Sequence, residues 1–198
     1  AGKDFNYYQN GITAVLSECH KKVKSDGYLV FSFHDKSLDS WLAVLESINH
    51  AGFILSKCYP VQSETRTGAH TSGKNSIGID IMLVSKKIPN KPLQLTLASK
   101  DTVEKALHNT RTKTVEILDR FQKVSAELTA PDIQNIAIAL FFTELPDYYA
   151  FDENSKTIAI DELQNLLINI ESVAGDFEIT KKRNGWWSEL YRQKWKIQ

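Results

Sequence analysis

Three short apolar runs constrain this chain most: Tyr28-Leu29-Val30-Phe31-Ser32-Phe33, Phe53-Ile54-Leu55-Ser56-Lys57-Cys58-Tyr59 and Ile77-Gly78-Ile79-Asp80-Ile81-Met82-Leu83-Val84. Each is too short for a free-standing helix and rich in β-branched or aromatic residues, so each reads as a strand. The first is apolar throughout, which predicts burial on both faces, as in a parallel sheet. Helical periods lie before and between them. Ile12, Val15, Leu16, Cys19 and Val23 recur at three- and four-residue steps over 8–24. Leu38, Trp41, Leu42, Leu45 and Ile48 do so over about 38–51, with Ser37 or Asp39 as cap and Gly52 as the stop. Lys24-Ser25-Asp26-Gly27 is a turn.

Helix–strand–helix–strand–strand is half of an α/β sheet. The first two strands are expected to run parallel through a right-handed crossover, and the last pair antiparallel. Pro60 is expected to end the second strand. The connection over 62–75 is longer than a hairpin needs, and loops of that length are often functional. It carries Arg66, His70, Lys74 and Asn75, donors suited to phosphate oxygens or base edges. Glu64 stands at its start.

Beyond Lys87 the pattern changes. Pro89 and Pro92 mark 89–100 as a linker. Helices are expected over 101–125, over 131–143 with Pro131 in the first turn, from Asp161 to about 173, and over 183–195. The division is therefore 1–88, a linker at 89–100, and a helical region at 101–198. Hydrophobic residues make up 42% of the 198 and charged residues 24%, a globular balance that excludes disorder along the whole length. The net charge is zero, but it is uneven: +4 over 1–100, −9 over 101–180 and +5 over 181–198. In the last segment Lys181, Lys182 and Arg183 stand near Trp186, Trp187, Tyr191 and Trp195. Cations among aromatics suit nucleic-acid backbone and base stacking, whereas Trp side chains docked onto the protein body are the commoner use. Two cysteines, Cys19 and Cys58, cannot make a disulfide framework or a four-ligand zinc site. They read as small buried hydrophobes. With no signal peptide or apolar run of about 20 residues, the expectation is a cytoplasmic protein with no membrane contact.

A resemblance rests on the order of several segments. Thr13 to His20, Lys24-Ser25-Asp26-Gly27, Val30 to His34, Trp41, Ala51-Gly52-Phe53, Pro60-Val61 and Glu64 follow one another. This series resembles the C-terminal half of adenine-specific DNA methyltransferases, in particular the large methylases with a zinc ribbon. The likeness covers about 10–88 well and about 130–170 loosely. It implies an α/β fold: a partial class I methyltransferase (Rossmann-like) sheet of about three strands with helices, followed by an α-helical C-terminal region. Residues 28–33, 53–59 and 77–86 would be its fifth, sixth and seventh strands, the seventh inserted antiparallel between the other two.

Phe33, His34 and Asp35 would then lie at a strand's carboxyl end and, with Glu64, rim the target-base pocket. Arg66, His70, Lys74, Asn75, Lys181, Lys182 and Arg183 would meet DNA. The implied cofactor is S-adenosylmethionine and the implied partner double-stranded DNA. Yet the family's Gly-rich turn, its N/D-P-P-Y/F tetrapeptide and its zinc-ribbon cysteines are absent. The expectation is a piece of the enzyme that neither binds the cofactor nor methylates alone and that needs the missing N-terminal half of the catalytic domain. The bare edge of 28–33 would otherwise pair with a second copy or be covered by another segment of the chain. The alternative reading is a non-catalytic, methyltransferase-like module that binds nucleic acid or another subunit. A parent acting on RNA or protein is the weaker third.

Overall fold

The computed structural model describes residues 5–62, 77–88, 96–97, 99–123, 128–145 and 149–150. The elements in chain order are α1 (Phe5–Lys22), β1 (Tyr28–Phe33), α2 (Leu38–His50), β2 (Phe53–Gln62), β3 (Ile79–Lys87), β4 (Thr96–Leu97), α3 (Lys100–Lys123), α4 (Ala130–Glu144) and β5 (Tyr149–Ala150). The helices expected from Asp161 and over 183–195 lie outside the described residues.

The three apolar runs form one sheet in the order β1-β3-β2. β3 is antiparallel to both neighbours, with Phe31 opposite Leu83 and Cys58 opposite the same residue from the other side. β1 and β2 therefore point the same way, but they are not neighbours. The third strand has entered between them, so every hydrogen-bonded pair in this sheet is antiparallel.

The register sorts the side chains. Leu29, Phe31 and Phe33 share a face with Ile79, Ile81, Leu83 and Ser85. This face meets the helices: α2 lies on β2, and α4 lies on β2 and β3. The expectation that β1 is buried on both faces fails. Its residues alternate between exposed and half-buried. Tyr28 is 56% exposed and Val30 47%. Their face also carries Tyr59, at 49%, and among the described residues it has no helix laid on it.

β2 runs through Pro60 rather than stopping there. Among the described residues it is an edge strand paired with β3 only, and an edge strand tolerates a residue without an N–H. Between Leu55 and Lys57 the register shifts by one residue. Ser56 is the extra residue, and its hydroxyl donates to the Val84 carbonyl at 2.9 Å. The shift explains how Phe53 and Leu55, and then Cys58, all turn inward although their spacing breaks the two-residue period.

Local chemistry sets the helix ends. Ser37 caps α2, its hydroxyl accepting from Ser40 N. Gly52, at φ 88°, supplies the left-handed turn after it. The C-terminal carbonyls of α1 are collected by Lys87 of β3, whose Nζ donates to His20 O at 2.5 Å and Val23 O at 2.6 Å. Gly27 follows at a tight spot: a Cβ there would stand 2.6 Å from Val23 Cγ1.

α4 is apolar nearly all round because it is enclosed. Ile133, Ile136, Ile138 and Phe141 are buried between the sheet and α3. α3 offers Val103, Ala106, Leu107 and Leu118 to that contact. One core thus joins Leu16, Trp41, Phe53 and Leu83 to residues on the far side of 89–100. Thr96–Leu97, inside the expected linker, pairs in parallel with Tyr149–Ala150. Two-residue strands distant in sequence leave no local pattern to read.

Cys58 fits the small-hydrophobe reading. Burial raises its thiol to about 11, against the opposing pull of the Thr143 hydroxyl and the Lys113 ammonium. The folded chain holds this proton more tightly than the unfolded one. The associated stability is intact below about pH 9 and is lost as pH rises toward 11. Urea unfolding of Cys58→Ala and the parent across pH 8 to 11 should show a steeper alkaline decline in the parent. Parallel curves would contradict the burial of this thiol.

Candidate functional site at the carboxyl end of β1

Strand alternation divides the residues that end β1. Phe33 turns to the helices and meets the indole of Trp41 edge to face, centroids 4.9 Å apart. It packs the core side, and His34 turns to the opposite face. There the β1–β3 register carries on one position, bringing His34 beside Asp80. His34 Nδ1 and Asp80 Oδ1 are hydrogen-bonded, both side chains partly open to solvent. With Asp80 ionised, Nδ1–H donates to it. Nε2 then carries the lone pair and points away from its orienting partner.

Asp35 is tied down from three sides. Its N–H donates to Asn135 Oδ1 at 3.0 Å, and its carbonyl accepts from Trp41 Nε1 at 3.2 Å. Its carboxylate accepts from Ser37 N at 2.7 Å, at the start of α2. Asn135 Oδ1 also accepts from Trp41 Nε1 at 3.1 Å, while its Nδ2 donates to the Pro131 carbonyl at 2.8 Å. One buried amide thus fixes the backbone after β1 to both α2 and α4. Tyr8 of α1 completes the group. Partial burial, and secondarily the negative charge of Asp35, push its phenol above the usual range.

The β3 side of the site is held by Asp132. It is fully buried. One carboxylate oxygen accepts from Gly78 N at 2.8 Å and Ile79 N at 3.1 Å. The other accepts from Thr129 N at 2.7 Å and Thr129 Oγ1 at 2.8 Å, closing the capping box of α4. α4 therefore positions both strands of the site, β1 through Asn135 and the start of β3 through Asp132.

Of the residues proposed from sequence, the structure places Phe33, His34 and Asp35 together but on different faces. Glu64, Arg66, His70, Lys74, Asn75, Lys181, Lys182 and Arg183 lie outside the described residues. Asp80, Asn135 and Tyr8 were not anticipated. Asp80 did leave a signal, as a lone carboxylate inside the apolar run 77–84, and so did Asn135 inside 133–141.

The site can orient an imidazole and offer its Nε2 as a proton acceptor or hydrogen-bond partner. Among the described residues no group of three or more His, Cys, Asp or Glu could hold a metal ion. Among the described residues no helix is long and apolar enough to cross a membrane. Comparison with protein-family models, curated proteins and solved structures finds no match.

The role of Asp80 is open to test. Asp80→Asn should shift the neutral His34 ring from mostly Nδ1–H toward Nε2–H, read from long-range ¹⁵N–¹H correlations. An unchanged tautomer ratio would contradict the dyad.

Proposed function

We propose that the chain is the C-terminal portion of the catalytic domain of an S-adenosylmethionine-dependent DNA adenine N6-methyltransferase. The observation that carries this reading is the strand order β1-β3-β2, with β3 antiparallel between the other two. That is the arrangement the resemblance implies for a fifth, seventh and sixth strand. The position of His34 and Asp35 at the carboxyl end of β1 supports it further, since ligands of open α/β sheets collect there.

In this reading the methyl donor and the N/D-P-P-Y/F tetrapeptide belong to the missing N-terminal half of the catalytic domain. This chain supplies sheet, pocket rim and DNA contacts. In the same reading His34, its ring oriented by Asp80, belongs to the rim of the pocket that a flipped base enters. Arg66, His70, Lys74 and Asn75 would contact DNA from the segment between β2 and β3, and Lys181, Lys182 and Arg183 from the basic end of the sequence.

Fluorescence anisotropy with labelled duplex across a salt series tests the DNA part. Binding should weaken with a log–log slope of roughly −3.6 to −4.5, as for about four to five phosphates neutralised. Lys74→Ala should bring that slope toward zero by about 1. Binding insensitive to salt, or none at low salt, would contradict it.

A further inference from the structure

α1 is not held evenly along its length. From Ile12 onward it is anchored: Ile12 packs against the core, Leu16 is buried in it, and Lys87 collects the carbonyls of His20 and Val23. The stretch before Ile12 differs. Asn6, Tyr7, Tyr8, Asn10 and Gly11 are exposed, and Gln9 is half-buried. Asn, Tyr and Gly favour the helix weakly, Gly least of the three. Packing does not require glycine at Gly11, because a Cβ there would meet no neighbouring group within 4 Å. Gln9 ties this stretch to α2. Its Nε2 donates to Glu46 Oε2 at 2.7 Å, and its carbonyl accepts from the hydroxyl of the fully buried Ser47 at 3.2 Å.

We propose that residues 6–11 form a latched arm, hinged at Gly11 and held by Gln9, that carries Tyr8 to and from the Asp35 side of the site. Two observations place the arm there. Lys87 fixes the last turn of α1 at the start of β1, where its neighbour Lys86 pairs with Tyr28. The first turns therefore reach toward the other end of that strand, and the charge of Asp35 acts on the Tyr8 phenol. Docking orders six residues in return for the hydrogen bonds of Gln9 and no fully buried side chain, so the two states lie close in free energy. The rest of α1 stays in place, since Thr13 Oγ1 donates to Ser47 Oγ at 2.9 Å and Leu16 remains in the core. A ligand that engages the phenol draws the arm down and completes the site, by favouring the docked state. The arm goes beyond the methyltransferase reading and does not depend on it.

Amide hydrogen exchange, read by NMR on the full 198-residue chain, tests it. The amides of Gln9, Asn10 and Gly11 bond back one helical turn, to carbonyls of the arm and Phe5. They should exchange on the order of a hundredfold faster than those of Leu16 to His20. Gly11→Ala should slow the first set roughly two- to fivefold and leave the second unchanged. Gln9→Met keeps the helix propensity and loses the side-chain donor, so it should speed the first set roughly two- to tenfold. The Tyr8 ring resonances should follow, moving toward those of free tyrosine in Gln9→Met and away from them in Gly11→Ala. Equal exchange in both sets overturns the proposal, as does a Gly11→Ala effect spread along the whole helix. Unchanged rates in Gln9→Met overturn the latch, and a Tyr8 ring that does not follow the amides overturns the delivery of Tyr8. None of these measurements involves DNA or S-adenosylmethionine, so failure here leaves the proposed function standing, and the reverse.

Discussion

Asp132→Ala is expected to destabilise the fold by about 3–5 kcal/mol, the cost of leaving several buried donors without acceptors. In a domain of this size that lowers Tm by roughly 6–20 °C. The reason lies in what the carboxylate serves. Gly78 N, Ile79 N, Thr129 N and Thr129 Oγ1 all donate to it, in a position with no solvent access. Water cannot readily replace it there. Asp132→Asn separates geometry from chemistry. The amide is the same size but has one acceptor oxygen, so its NH2 must face either the two β3 donors or Thr129. A cost of about 2–3 kcal/mol is expected for that variant. Urea unfolding measures both. An Asn variant within about 0.5 kcal/mol of the parent would show that the carboxylate is not the shared acceptor described.

Trp41→Ala should cost about 3–5 kcal/mol, in the range for large aromatic truncation in a core. Trp41 is fully buried, packs edge to face on Phe33, and donates from Nε1 to both Asp35 O and Asn135 Oδ1. Its loss removes apolar contact and also frees the backbone that carries His34 and Asp35. Trp41→Phe keeps most of the ring but not the donor. It should cost about 1–2 kcal/mol and should broaden or shift the amide resonances of His34 and Asp35 in ¹⁵N–¹H spectra. Unmoved site resonances in a folded Trp41→Phe protein would show that the indole does not hold the site.

The elements whose pattern is local were readable from sequence. The apolar stripe from Leu38 to Ile48, a cap at Ser37 or Asp39 and the Gly52 stop give α2 almost to the residue, because each acts within one helical turn; the structure selects Ser37. Pro131 and the run to Phe141 give α4 for the same reason. What could not be read depends on partners distant in the chain. The half-exposure of β1 arises because helices cover one sheet face. Pro60 continues β2 because that strand is an edge. Asp80 becomes an orienting group only when β3 lies beside β1. Asn135 and Asp132 act across about a hundred and about fifty residues of sequence respectively. The order of the strands was expected from the family resemblance; periodicity placed β2 and β3 together but left β1 beside β2.

We propose above that this sheet belongs to a DNA methyltransferase. It is tested most directly by expressing the entire reading frame that contains these residues and incubating the product with S-adenosylmethionine, tritiated in its methyl group, and duplex DNA. The account predicts label recovered as N6-methyladenine after DNA hydrolysis, reduced strongly by His34→Ala in a protein that still folds. A folded product that binds duplex DNA but transfers no label to it would contradict the claim.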